Sequence, residues 1–180
     1  LPKAEVTADA ITLRALVFVP RQTVVKKDGI SASPGTHVRD VPLLERPDFI
    51  ELFNERMARY YGQPLSIELA NTIAQDVSAY YAEHDRPVVS VSVPEQDVTT
   101  GVMQMVVIEA TVAEVRVEGN RWFSDERIRG NVRVQPGEPI YKSTLEADLD
   151  WLNNNPFREV NSLFTPGDSP GTTDIVLRVD

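Results

Sequence analysis

The chain contains no cysteine, so the first side chains to consider for acid–base or metal chemistry are its carboxylates and its two histidines. The most informative acidic residues stand where helices are expected to begin: Asp48 with Glu51, Asp125 with Glu126, and Glu146 after Ser143. A carboxylate in a first helical turn accepts hydrogen bonds from free backbone N–H groups and interacts favourably with the helix dipole. These pairs therefore indicate helix starts rather than the acid and base of an active site.

His37 and His84 are far apart in the sequence, one in a predicted loop and the other at a predicted helix end. A metal site needs ligands that converge on one point, so we interpret both as surface histidines. The lack of cysteine excludes disulfides and thiolate ligands. The sequence also contains no nucleophile–base constellation, phosphate-binding glycine loop or nucleotide fingerprint. We therefore predict that the chain is not an enzyme and holds no metal or cofactor.

Composition limits both the size of the fold and the class of partner. With 180 residues, 42% of them hydrophobic, the chain can form one ordinary domain or two small ones. Its net charge of −9 repels nucleic acid and anionic lipid on average, and no basic patch stands out to offset it. No apolar run approaches the roughly 20 residues that span a bilayer. The start at Leu1, without an initiator methionine or signal peptide, indicates a processed or excised fragment.

The run at residues 102–120 is the point at which two similar halves of the chain meet. Hydrophobic residues at strand spacing predict one strand up to Glu109 and a second from Val112, with turn signals at both ends. The patterns predict the same order in each half, strand–helix–helix–strand–strand. The predicted elements are strands at 11–19, 88–93, 102–109, 112–118, 160–164 and 175–179, with helices that start at Asp48, Ser66, Ser124 and Ser143.

Two Gly-x-Pro bends support this repeat. Gly62–Pro64 and Gly137–Pro139 lie about 75 residues apart, whereas the first strands of the halves lie about 101 residues apart. The difference matches residues 21–46, which we interpret as a loop inserted into the first half, with a possible short extra strand at 23–25. The repeat predicts a duplicated α+β unit.

Several spaced motifs agree, in order, with one known family. They are LSIEL at 65–69, AYY at 79–81, PEQDVTTGV at 94–102, VRVEGN at 115–120, LNNNP at 152–156, PG at 166–167 and PGTTDI at 170–175. This set resembles the periplasmic region of two-partner secretion transporters, the exporters of haemolysins and filamentous haemagglutinins. These transporters carry two polypeptide-transport-associated (POTRA) domains before a membrane β-barrel. The resemblance covers residues 62–180, whereas the inserted loop departs from the family's short strand-to-helix turn.

The repeat and the resemblance together predict an α+β chain of two tandem POTRA domains. Each is expected to be β-α-α-β-β, with a three-stranded mixed sheet and two helices packed on one face. We place a linker at residues 1–10, the first domain at 11–110 with its insertion at about 21–46, and the second domain at 111–180.

The resemblance implies periplasmic domains of an outer-membrane protein in a Gram-negative bacterium. They would capture an unfolded exoprotein by its N-terminal secretion domain and pass it to the transporter's own β-barrel. Neither nucleic acid nor a small-molecule substrate is implied. One alternative is a POTRA scaffold of a barrel-assembly machine, although such machines usually carry a longer array of domains. A small enzyme on an α+β scaffold is a second alternative, and the missing catalytic constellation speaks against it.

A three-stranded sheet leaves strand edges, and an exposed edge offers unpaired N–H and C=O groups that an extended client can use by β-augmentation. No lysine guards the strand at 88–93, which favours this use. Specificity would come from an apolar groove between that strand and the second helix. The candidate partner-binding residues are Val88, Val89, Ser90, Val91, Ser92, Val93, Ile73 and Val77 in the first domain, and Val160, Ser162 and Phe164 at the second domain's edge.

A further set of residues is expected to shape the backbone rather than to bind. We interpret the loop at 94–101 as the element that shapes the hairpin between the strands at 88–93 and 102–109. Trp122 is expected to be a packing residue at the joint between the domains. The predicted structural residues are Gly62, Pro64, Pro94, Gln96, Asp97, Gly101, Gly119, Asn120, Gly137 and Pro139.

Overall fold

A computed structural model of the chain describes residues 10–180, so the linker predicted at residues 1–10 lies outside the described residues except for its last position. The described residues form two compact units. The first contains residues up to Tyr80 together with Val91–Ile108, and the second contains Tyr81–Ser90 together with Glu109–Asp180. No helix among residues 10–180 has the length and apolar character needed to cross a bilayer.

The N-terminal part of the chain forms a four-stranded sheet in the order β2-β1-β4-β3, in which β1 runs parallel to both β2 and β4. Its elements are β1 (Ala15–Val19), β2 (Gly35–Val38), α1 (Pro47–Ala58), α2 (Ile67–Glu83), β3 (Val89–Ser92) and β4 (Val102–Glu109). Helices α1 and α2 therefore lie between β2 and β3 in the sequence, as the predicted order of elements requires.

The C-terminal part forms a three-stranded mixed sheet in the order β5-β7-β6. Strand β7 pairs in parallel with β5 and antiparallel with β6. The elements are β5 (Thr111–Glu118), α3 (Asp125–Arg129), α4 (Lys142–Asn153), β6 (Val160–Pro166) and β7 (Thr172–Val179). The α+β class and the strand–helix–helix–strand–strand order are thus confirmed.

The internal repeat is visible in one backbone contact that both units make. An isolated antiparallel bridge joins Thr12 to Pro64 in the first unit, and an equivalent bridge joins Thr111 to Pro139 in the second. In each unit the glycine two residues before the proline donates its N–H to a carbonyl beside the bridge, at 2.8 and 2.7 Å. The Gly-x-Pro bends therefore have the same structural role in both halves: each joins the segment between the two helices to the first strand or to the residues just before it.

The segment at residues 21–46 differs from the sequence expectation. The predicted short strand at 23–25 is instead part of a 3-10 helix (Gln22–Val24), and the strand of this segment is β2, which adds a fourth strand to the first sheet. The segment also covers the sheet face opposite the helices. There Val25, Ile30 and Ala32 pack against a buried cluster of Ala15, Val17, Val19, Val102 and Val106.

The opposite face of the first sheet packs against the helices. The ring of Phe18 lies 5.0 Å from that of Phe53 on α1, and Phe53 lies 5.2 Å from Tyr80 on α2. All five residues of β1 are buried as a result. In the second unit β5 alternates between buried and exposed residues, which is the pattern of a sheet with one wet face.

Two of the predicted helix starts are confirmed and two are wrong. The Ser66 Oγ accepts the Leu69 N–H at 3.0 Å, and the Ser124 Oγ accepts the Arg127 N–H at 3.2 Å. The N-cap of α1 is Arg46, two residues before the expected cap Asp48, and no side chain caps this helix. Helix α4 likewise starts after Tyr141, which leaves Ser143 inside the first turn.

The start of α4 is capped from outside the helix by the carboxylate of Asp85. Its Oδ1 accepts the Ser143 N–H at 2.7 Å, and its Oδ2 accepts the Ser143 hydroxyl at 2.6 Å. Burial alone would raise the pKa of Asp85, but these hydrogen bonds and the nearby cations outweigh it and lower the pKa. The expected capping box between Ser143 and Glu146 is therefore replaced by a cap from a distant part of the sequence.

Candidate partner-binding site

Strand β3 lies at the edge of the first sheet, as the sequence analysis requires of the capture strand. Its side chains alternate: Val89 and Val91 are half-buried, while Ser90 and Ser92 are exposed. The neighbours Val88 and Val93 are also half-buried. No strand among residues 10–180 pairs with the outer side of β3. This side is therefore the unpaired margin of the sheet.

The direction of the backbone groups identifies which residues offer that margin. The Val88 carbonyl accepts the N–H of Ala110 at 3.4 Å, so the polar groups of Val88 point inward, towards the rest of the sheet. Successive residues of a strand point their backbone groups to opposite sides. Val89 and Val91 therefore direct their N–H and C=O groups outward, whereas Ser90 directs its groups inward.

An apolar groove of about 440 Å³ lies beside the end of β3. Ile67 at the start of α2 stands at this groove with 81% of its surface exposed, and Met103 is the nearly buried residue that lines it from β4. The full lining is Leu65, Ser66, Ile67, Ala70, Val93, Pro94, Glu95, Gln96, Val98 and Met103. A strand added along β3 would turn every second side chain towards the helix face of the sheet.

The helix side of the groove differs from the residues that the sequence suggested. Ile73 and Val77 are completely buried in the hydrophobic core, each with 0% exposure, so neither side chain is available to a partner. They lie on the core stripe of α2, and the groove is formed instead by Ile67 and Ala70 in the first turns of that helix. An apolar residue placed directly after the Ser66 cap, outside the core stripe, was the sequence signal for this position.

The side-chain amide of Gln96 closes the neighbouring margin of β4. Its Oε1 accepts the N–H of Gln104 at 2.7 Å, and its Nε2 donates to the carbonyl of Gln104 at 2.7 Å and to that of Pro94 at 3.1 Å. Both backbone groups of Gln104 are thereby satisfied where β3 no longer runs beside β4. At this edge of the sheet, the unpaired margin is therefore limited to β3 and does not continue along β4.

The loop at 94–101 is held by the inserted segment as well. The Asp97 N–H donates to the Lys27 carbonyl at 2.8 Å, and the Thr100 hydroxyl donates to the Ile30 carbonyl at 2.7 Å. Asp97 also accepts the Thr99 N–H at 2.8 Å. Hydrogen bonds from the Thr99 backbone and side chain lower the pKa of Asp97. These contacts fix the loop that forms one wall of the groove.

Two of the predicted structural glycines allow close approaches between backbones. A Cβ atom on Gly101 would lie 2.7 Å from the Thr12 carbonyl oxygen, and one on Gly119 would lie 2.5 Å from the Val179 carbonyl oxygen. Each has a positive φ, +76° and +80°, so any other residue would be strained as well as crowded. Next to Gly119, the Asn120 Oδ1 accepts the Phe123 N–H at 3.1 Å and shapes the turn after β5.

Strand β6 is one of the two edges of the second sheet, and it carries the predicted residues Val160, Ser162 and Phe164. Val160 is buried, and the other two are half-buried. Glu159 and Asp180 exchange two backbone hydrogen bonds, so the polar groups of Val160 point away from β7. This outward pair is already occupied by an amide side chain that sequence reasoning missed.

Asn153, the last residue of α4, provides that side chain. Its Oδ1 accepts the Val160 N–H at 2.7 Å, and its Nδ2 donates to the Val160 carbonyl at 2.9 Å. By the alternation of the ladder, Ser162 and Phe164 also point their backbone groups outward. The second edge is thus closed at its start, in contrast to β3.

Titratable groups do not converge on a metal-like site. No three His, Asp or Glu side chains within residues 10–180 come together with a geometry that could hold an ion. His37, predicted in a loop, lies on β2, and its Nε2 is 2.7 Å from the carbonyl oxygen of Ser33, just before that strand. The site is therefore built from backbone groups and apolar side chains, a chemistry that suits recognition of another polypeptide.

Comparison with known protein families assigns both parts of the chain to POTRA domains. The family described as "POTRA domain, ShlB-type" matches residues 50–110, and the POTRA family described as "Surface antigen variable number repeat" matches residues 110–180. The outer membrane transporter CdiB-2 of Burkholderia pseudomallei is 27% identical over 127 residues, which are 68% of this chain and 21% of that protein.

Two further comparisons agree with these matches. The heme/hemopexin transporter protein HuxB of Haemophilus influenzae is 20% identical over 149 residues, 79% of this chain and 26% of that protein. The structure of CdiB from Escherichia coli has a TM-score of 0.66 at 15% identity, over 99% of this chain and 29% of that one, and shows the same fold. This chain spans about a quarter of the length of these transporters. The chain consists of two POTRA domains, of the kind found in the periplasmic part of outer-membrane two-partner secretion transporters.

Proposed function

We propose that the first POTRA domain recognises an unfolded secreted partner protein by its N-terminal secretion domain and delivers it to the transporter's own β-barrel. The partner would add a strand along β3 and place alternate side chains in the groove. The two domains would divide at residue 110, the position at which the two family matches meet. No reaction is catalysed in this proposal, and no nucleic acid, small molecule or cofactor takes part.

The observation that carries the proposal is an unpaired strand margin beside an apolar groove. Main-chain pairing along Val89 and Val91 depends little on the partner's sequence, which suits a chain captured before it folds. The groove at Ile67 would add selectivity, because only side chains that bury apolar surface gain free energy there. Together these features fit an extended polypeptide better than a folded partner.

The first domain is the favoured site because an apolar groove adjoins the end of β3. The margin of β6 keeps two outward residues, Ser162 and Phe164, the same number as β3. Its start is closed, however, by the amide of Asn153, which occupies both outward groups of Val160. We therefore assign initial capture to β3 and a secondary contact to β6.

Titration of the isotope-labelled chain with a peptide from the partner's secretion domain tests the proposal by NMR. We expect the largest shifts at the amides of Val89 and Val91 and at the methyl groups of Ile67. Val91→Pro should weaken binding about five- to tenfold, because proline removes one outward donor. Ser90→Pro would remove an inward donor and should lower stability instead. Shifts confined to the outer faces of α1 and α2 would contradict capture by β3.

A matched pair of substitutions separates groove recognition from a general loss of surface hydrophobicity. Ile67→Ser should weaken binding about tenfold, because a partner side chain loses its apolar contact. Leu52→Ser is the control, since Leu52 is 52% exposed on α1 and does not line the groove. Equal losses for the two variants would show that the groove has no special role.

A further inference from the structure

A second pocket, of about 480 Å³, lies at one end of the C-terminal unit. It is formed where β5 and β7 end and where the loop before β6 returns. Trp122 and Phe157 both line it, and they are the most exposed large apolar side chains among residues 10–180, at 89% and 86%. Two distant loops therefore present aromatic rings at one place. This arrangement differs from the sequence expectation, which made Trp122 a packing residue.

The exposure of large aromatic side chains such as Trp122 and Phe157 is unfavourable in water. A tryptophan or phenylalanine side chain carries about 150–250 Å² of surface that gains free energy when it is buried. A single exposed aromatic residue is ordinary in a soluble protein. Two such residues that line one pocket and leave most of their surface free indicate that another apolar phase or molecule covers them.

The charges around the pocket indicate which kind of phase this is. Arg121 and Arg158 line it, with Asp180 as the one acidic residue of the lining. The lining of the pocket therefore carries two positive side chains and one negative side chain, although the whole chain has a net charge of −9.

Arg158 is held in place at the pocket wall. Its Nε and Nη2 donate to the Leu152 carbonyl at 2.9 and 2.8 Å, and its guanidinium carbon lies 5.2 Å from the centre of the Phe123 ring. The cation is therefore fixed beside the exposed rings instead of moving freely in solvent. A fixed arginine next to exposed aromatic side chains matches a phospholipid surface, in which phosphates lie directly above the acyl chains.

We propose that Trp122 and Phe157 form a membrane-contact site by which the second POTRA domain rests on the periplasmic face of the outer membrane. The two rings enter the boundary between headgroups and acyl chains, and Arg121 and Arg158 pair with phosphates. The contact is weak, because two side chains bury little area compared with a membrane helix. It orients the domain without anchoring it, and it is independent of partner capture at β3.

Tryptophan fluorescence tests this site directly, because the chain contains only two tryptophans. Trp151→Phe leaves Trp122 as the single reporter. Vesicles of phosphatidylethanolamine with a minority of phosphatidylglycerol should shift its emission to shorter wavelength. The same lipids with brominated acyl chains should quench it. In this background Phe157→Ser should weaken vesicle binding about tenfold while the circular dichroism spectrum is retained.

The reciprocal variant supplies the control. Trp122→Phe leaves Trp151, which is 57% exposed on α4 and does not line the pocket, so its emission should not be quenched by brominated lipid. Equal quenching of both reporters would mean unspecific adsorption and would overturn the proposal. It would also be overturned if Trp122 responded to an unfolded partner peptide and not to vesicles, because the pocket would then bind protein.

Discussion

The side-chain amide of Gln96 pairs with both backbone groups of Gln104 in the way that a neighbouring strand residue would. Asn153 makes the same arrangement with Val160 in the second unit. Each side-chain amide forms hydrogen bonds with the backbone N–H and C=O that an added strand would otherwise use. An incoming segment therefore cannot pair with the sheet at that residue. Sheets with open edges risk unwanted pairing. The amides of Gln96 and Asn153 therefore limit the open length of the two edges formed by β3 and β6.

Removing the Gln96 amide tests the first of these closures. Gln96→Ala leaves the N–H and C=O of Gln104 without this partner and should destabilise the first unit by about 1–3 kcal/mol. Hydrogen exchange at the Gln104 amide should accelerate in parallel. Urea unfolding followed by circular dichroism and residue-resolved exchange would measure both effects. Glu95→Ala is the control in the same loop, because Glu95 is exposed and makes no described bond to β4. A similar loss of stability in both variants would show that the whole loop, and not the Gln96 amide, is responsible.

Asn153→Ala should open the start of β6 to another chain. We expect concentration-dependent self-association or stronger binding of the partner peptide at Ser162 and Phe164, because Val160 then adds an unpaired N–H and C=O to the margin. Sedimentation velocity and NMR titration would detect the two outcomes. The neighbour Asn154 is the C-cap of α4, and the described bonds to Val160 come from Asn153 instead, so Asn154→Ala should behave like the wild type. Unchanged association and binding in Asn153→Ala would refute the guarding role.

The order of elements and the duplication could be predicted from the sequence because they depend on local periodicity and on the two Gly-x-Pro bends. The role of residues 21–46 could not, since β2 becomes a strand only by pairing with β1. One signal was present: β1 is a continuous apolar run and β4 is interrupted only by Gln104 before its final Glu109, whereas β5 alternates. Continuous apolar strands are typical of a sheet that is covered on both faces, and the inserted segment supplies the second cover.

The edge strand of the candidate site was predicted from the sequence, but the side chains that line its groove were not. An edge strand follows from topology, so β3 could be identified. Ile73 and Val77 were chosen from an apolar stripe, but that stripe faces the core, and the groove residue Ile67 lies outside it. Side-chain amides that imitate a strand, such as Gln96 and Asn153, leave no periodic pattern and become visible only in three dimensions.

One buried amide ties the start of the inserted segment to β4. Gln104 is 2% exposed, its Oε1 accepts the Lys26 N–H at 3.1 Å, and its Nε2 donates to the Lys26 carbonyl at 2.9 Å. Gln104→Leu should release this segment, because the Lys26 backbone loses both bonds, at a cost of about 1–3 kcal/mol. Trypsin should then cleave after Lys26 or Lys27 faster than in the wild type. Cleavage after Lys26 or Lys27 in Gln104→Leu at the same rate as in the wild type would contradict the proposed anchoring. Cleavage after Arg121 in the other unit provides the internal reference.

An ion pair between α1 and α2 gives the first unit a defined response to acid. Arg56 donates to the Asp76 carboxylate at 2.7 Å, and so does the Tyr60 hydroxyl at 2.7 Å. Burial alone would raise the pKa of Asp76, but these two bonds outweigh it and lower the pKa. Burial and the bond to Asp76 raise the pKa of Tyr60 to about 12. At neutral pH the pair is therefore fully formed.

A carboxylate with a lowered pKa in the folded state contributes stability above its unfolded pKa of about 4, and this contribution is lost as the pH falls through the folded pKa. Asp76→Asn should thus cost about 1–3 kcal/mol at pH 7, and its difference from the wild type should shrink below about pH 4. Tyr60→Phe keeps the ion pair and should cost less, about 0.5–1.5 kcal/mol. Urea unfolding at several pH values would measure both differences. A gap between Asp76→Asn and wild type that stays constant down to about pH 3 would show that the charge of Asp76 does not stabilise this unit.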